Sequence, residues 1–95
     1  MTLLEQTYRQ LKGAGLVHCA EAFSRDYVGK NDNWYAYQKH TARDFSVSAA
    51  IQCLRSIRSQ QHNNALSKAQ RAVLQRAAEQ LTTHLNTYYC VADVS

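Results

Sequence analysis

The stretch Ser67-Lys68-Ala69-Gln70-Arg71-Ala72-Val73-Leu74-Gln75-Arg76-Ala77-Ala78-Glu79-Gln80-Leu81-Thr82-Thr83-His84-Leu85-Asn86-Thr87-Tyr88-Tyr89 decides the fold class. Ala69, Val73, Ala77, Leu81 and then His84 or Leu85 recur at spacings of three and four, the period that gathers apolar side chains on one face of an α-helix. Neither proline nor glycine interrupts the run. At 1.5 Å per residue such a helix extends roughly 35 Å, longer than a few short helices need for cover. Its apolar face reads first as intramolecular core, and the excess length leaves room for part of it to face a second copy of the chain in a homodimer through the C-terminal helix.

The preceding segments carry the same signature. Thr2 with Glu5 three residues on predicts a helix from Thr2 to Lys12 along Leu4, Tyr8 and Leu11, ended by Gly13 and Gly15. A shorter helix over Cys19–Val28 places Ala20, Phe23 and Tyr27 on one face and stops at Gly29, a natural left-handed C-cap. Asn31-Asp32-Asn33 offers N-caps for a third helix, Trp34–His40, which is dense in aromatics. Ser46 or Ser48 caps a fourth helix with Val47, Ala50, Ile51 and Leu54 along its apolar stripe, fading in the polar Ser59–Asn64 stretch, read as a loop. The expected fold is all-α, a compact bundle of about five helices with a long C-terminal helix, forming one domain over residues 1–95.

Composition agrees with this. Proline is absent and glycine occurs only at Gly13, Gly15 and Gly29, so β-turn chemistry is scarce. Cys19, Cys53 and Cys90 are odd in number and far apart, which suits a reducing, cytoplasmic compartment better than a disulfide framework. The N-terminal residues lack a signal-peptide pattern, and no apolar run approaches the ~20 residues that span a bilayer, so no membrane association is expected. The formal charge of +4 and the pI near 9.2 favour an anionic partner.

Within Ala20–His40, a short helix, a glycine-containing turn and a second short helix follow in about twenty residues, the length of a helix-turn-helix. The candidate motif spans residues 19–41. In such a motif the second helix enters the major groove of double-stranded DNA, which casts Asn31, Asn33, Trp34, Gln38 and Lys39 as the exposed face and Lys30 and Arg43 as backbone clamps. Arg25 adds to the same basic patch. Trp34, Tyr35 and Tyr37 cannot all face one way on a helix, and Tyr35 is the core candidate.

Phe23-Ser24-Arg25-Asp26-Tyr27-Val28-Gly29-Lys30, followed by Trp34-Tyr35, resembles a degenerate form of the phage-repressor-type helix-turn-helix domain. It also resembles small uncharacterised bacterial proteins with a similar Phe-Ser, Gly-Lys/Arg and Tyr pattern. The resemblance implies DNA binding and transcription regulation, with Lys30, Asn31, Asn33 and Trp34 at the turn and the start of the recognition helix. In the repressor pattern a small residue stands four positions before the turn glycine, whereas here that position is Arg25 and the small residue, Ser24, stands five before. The shift implies either an additional residue in the first motif helix or a different crossing angle.

Other chemistry finds little footing. His18, His40, His62, His84 and the cysteines form no CxxC or HxxxH set, so neither a metal site nor any cofactor is expected. The seven carboxylates include no close helical pair suited to acid and base work, and phosphate-binding glycine loops are absent, so the chain reads as non-enzymatic. Arg55, Arg58, Arg71 and Arg76 read as a solvated face. The alternative to DNA binding is a protein-interaction module in which the aromatic helix and the long last helix form partner grooves.

Overall fold

The helix periods and caps read above are realised as an all-helical bundle in the computed structural model, which describes residues 1–89; of residues 88 and 89 only the backbone is described. Cys90 lies outside the described residues. The helices are α1 (Leu3–Gly13), α2 (Ala20–Ala22), α3 (Trp34–His40), α4 (Val47–Gln60) and α5 (Lys68–Tyr89), with a π-helical turn, Phe23–Tyr27, continuing directly from α2. The bundle is compact, with a radius of gyration of 12.5 Å, close to the ~12 Å expected for its length. No described helix is long and apolar enough to cross a membrane.

Each long helix begins on a side-chain cap. Thr2 Oγ1 accepts from Glu5 N at 3.2 Å and Ser46 Oγ accepts from Ala49 N at 3.2 Å. Ser67 and Gln70 form a reciprocal pair, Ser67 Oγ accepting from Gln70 N at 3.1 Å and Gln70 Oε1 from Ser67 N at 3.0 Å. The Gln70 amide also donates to Ala14 O at 3.0 Å, tying the start of α5 to the end of α1. Asp44 completes the first turn of α1 from 40 residues away, its carboxylate accepting from Leu3 N at 3.1 Å and Leu4 N at 2.9 Å.

The core is assembled between α1, α4 and α5, with α4 and α5 the most extensively packed pair. Leu4, Leu11, Phe23, Cys53, Leu54, Ile57, Leu74, Leu81 and Leu85 are fully buried. Phe23 lies 5.4 Å from the Tyr8 ring and 5.8 Å, edge to face, from Tyr35. Burial pushes the Cys53 thiol up to about 12, which keeps it protonated and inert at neutral pH.

This packing accounts for the apolar face of α5 within one chain and lends no support to a dimer seam. Ala77, Leu81 and Leu85 are buried and Val73 is half-buried within the chain's own core, while Gln75, Arg76, Glu79, Thr83 and Asn86 are exposed. A helix whose polar face is outward needs no second copy to cover its apolar one. The polar loop is also shorter than read: Ser59 and Gln60 remain in α4. Arg71, read as part of a solvated face, is exposed and donates to the carbonyls of Leu66, Asn63 and Asn64 at 3.4–3.5 Å across the α4–α5 connection.

Candidate functional site

The short helices α2 and α3 and the turn between them form the candidate site, and their geometry centres on the buried Ser24. A helix that accommodates an additional residue winds locally into a π-turn, and Phe23–Tyr27 is such a turn with Ser24 buried inside it. At the ends of α1 and α3 the closing hydrogen bond spans five residues, Leu16 N to Leu11 O and Arg43 N to Gln38 O. Here it spans six, Lys30 N to Ser24 O at 2.9 Å, with Gly29 at φ +70°. The Ser24 hydroxyl donates to Ala20 O at 2.9 Å and accepts from the buried Tyr35 N–H at 3.0 Å. One hydroxyl therefore fixes the start of α3 against the helix before it.

The far end of α3 closes on Ala42, which takes φ 56° where a glycine is usual. The left-handed backbone costs an alanine roughly 1 kcal/mol. It is held by Ala42 N donating to Lys39 O at 3.1 Å and Arg43 N donating to Gln38 O at 2.9 Å. This fixes where the backbone at Arg43 leaves the helix.

The predicted site residues divide between those that face solvent and those that pack. Lys30, Asn31, Asn33, Lys39 and Arg43 are exposed. Asn31 is engaged in the turn, its Oδ1 accepting from Asn33 N at 3.0 Å and its carbonyl from Trp34 N at 3.1 Å. Asn33, at the N-cap position of α3, makes no side-chain cap hydrogen bond. Arg25 is exposed but paired with Asp26 at 3.4 Å and Asp32 at 3.3 Å. Those two carboxylates raise the guanidinium pKa further and offset its charge locally.

Trp34 and Gln38 do not belong to the outward face and are corrected here. Both are half-buried, and the Trp34 ring lies 6.4 Å from the buried Phe45. They share the packed side of α3 with Tyr35, which is buried as expected. The solvent-facing stripe runs instead through Asn33, Ala36, Tyr37 and His40, at the three- and four-residue spacing of one helix face. Tyr37, 51% exposed, and His40 are the residues the sequence reading missed as a surface pair. Assigning Tyr35 to the core is the signal that finds them, because they lie away from it on the helix.

From Asn33 to Arg43 there is no carboxylate, while Lys39 and Arg43 carry fixed positive charge. The flanking acids are engaged elsewhere, Asp32 with Arg25 and Asp44 with the start of α1. The patch can attract phosphate, and its amide, phenol and imidazole groups offer donors and acceptors for hydrogen bonding. Among the described residues, no three of the His, Cys, Asp and Glu side chains gather so as to hold a metal ion. Elsewhere, α1 and α5 enclose a shallow groove of about 450 Å³ bordered by Leu3, Gln6, Gln80 and Thr83.

No curated protein and no solved structure matches the chain. The family match carries neither a function nor a helix-turn-helix or repressor description. It covers residues 4–94, and the chain belongs to that family, whose description is "Family of unknown function (DUF6626)".

Proposed function

We propose that this chain is a small, non-enzymatic, cytoplasmic DNA-binding regulator that engages duplex DNA through α3. The observation that carries the reading is the carboxylate-free stretch from Asn33 to Arg43, presented on a short helix that Ser24 fixes to its neighbour. Lys30, Lys39 and Arg43 bind phosphates, with Arg25 at the border exchanging its carboxylate partners for backbone oxygens, while α3 lies against the groove. One chain is the binding unit. The second reading, a protein-interaction module, draws on the α1–α5 groove, where Gln80 Oε1 is buried without a hydrogen-bond partner among the described residues.

The test is fluorescence anisotropy of labelled random-sequence duplex DNA at low and moderate salt. Binding is expected to be saturable and to weaken with salt, because phosphate contacts release counterions. Lys39→Ala with Arg43→Ala is expected to lower affinity about tenfold at low salt and to reduce the salt slope by about two. Absence of binding at low salt contradicts the proposal and leaves the interaction module.

A further inference from the structure

Resting on the DNA reading, we infer that Asn33 and Tyr37 are the base-reading residues and that the duplex they select carries an A·T step in the major groove. Three observations distinguish these side chains from the others on α3. First, Asn31 and Asn33 look equivalent in sequence, but the Asn31 Oδ1 is committed to the Asn33 N–H, whereas the Asn33 carboxamide makes no cap bond. Its donor and acceptor are therefore available together, and a carboxamide matches adenine in the major groove by donating to N7 and accepting from N6. The side chain does this work, and backbone N–H groups at the helix start are not invoked.

Second, Tyr37 stands four residues on along the same face and is half exposed although it is aromatic. Its ring supplies the apolar surface that a thymine methyl group contacts, and only A·T pairs carry that methyl. Third, the stripe from Asn33 to His40 covers about 10 Å of helix, which is about three base-pair steps. Lys39 borders the stripe with no acidic neighbour, and Arg43 with only Asp44, whose carboxylate is committed to the start of α1, so phosphates can be held while the stripe meets the base edges. Trp34 and Gln38 are given no part in readout, because both are half-buried and Trp34 packs against the core beside Phe45.

The experiment is competitive anisotropy with two duplexes of equal length, one with an A·T core and one with a G·C core, plus a third in which every core adenine is 7-deazaadenine. The full chain binds the A·T duplex about tenfold more tightly than the G·C duplex, within the range that one bidentate amide contact supplies. 7-Deazaadenine, which lacks the N7 acceptor, reduces that preference to about twofold or less. Asn33→Ala has the same effect without changing G·C affinity, Tyr37→Ala lowers the A·T preference, and Lys39→Ala weakens all three duplexes alike. Asn33 and Tyr37 are exposed, and circular dichroism checks that both variants keep the helical fold. Equal, salt-dependent binding of all three duplexes by the unmodified chain overturns this inference while leaving DNA binding in place. Failure to bind any duplex at low salt overturns both.

Discussion

Asp44→Ala is expected to lower the unfolding free energy by about 3 kcal/mol, read as a shifted urea midpoint with an unchanged slope. The carboxylate accepts from Leu3 N, Leu4 N and Phe45 N at 3.1, 2.9 and 2.8 Å. With Thr2 Oγ1 serving Glu5 N, the leading N–H groups of α1 are covered, and without Asp44 two of them lose their acceptor beside the buried Leu4. Hydrogen bonds to a charged acceptor contribute about 1.5–3 kcal/mol each when buried, and partial solvent access here reduces the sum. Asp44→Asn keeps an acceptor oxygen and is expected to lose about half as much. Asp32→Ala is the control: it breaks an exposed pair with Arg25, and a change below about 1 kcal/mol is expected. Equal losses for Asp44→Ala and Asp32→Ala would contradict the role given to Asp44.

Ser24→Ala is expected to cost about 2 kcal/mol, because it leaves the buried Tyr35 N–H without an acceptor and removes the bond to Ala20 O. The deletion of one oxygen changes little volume, so the loss reports the hydrogen bonds and not a cavity. Exchange of the Tyr35 amide should accelerate by roughly 30-fold, the factor that corresponds to 2 kcal/mol of local opening. DNA affinity should fall as well, although Ser24 is fully buried and touches no ligand, since it positions α3. Unchanged Tyr35 exchange would show that the clamp is unimportant.

The long helices were legible because their signals are local. Thr2 and Ser46 stand where caps are needed, and Ala77, Leu81 and Leu85, all buried, repeat with the helical period. The site was legible in location but not in orientation. Seven residues of α3 with three aromatics have no clear apolar stripe, and the burial of Trp34 depends on Phe45, eleven positions away. The end of α3 carries no glycine signal, because Ala42 adopts the left-handed conformation under tertiary constraint. The π-turn was not read from the sequence, and the two partners of Ser24, Ala20 O and Tyr35 N, become visible only when the chain is folded. Periodicity marks the apolar face of α5 without saying whether the same chain covers it, so the sequence left the choice between core and dimer seam open.

The most direct test of the central claim is amide chemical-shift mapping of the full chain titrated with duplex DNA at low salt. Perturbations are expected to gather on residues 30–43, with Asn33, Tyr37, Lys39, His40 and Arg43 foremost and the α5 positions Gln75, Glu79 and Thr83 unmoved. Perturbations centred on the α1–α5 groove at Leu3, Gln80 and Thr83, or no perturbation at all, would contradict it.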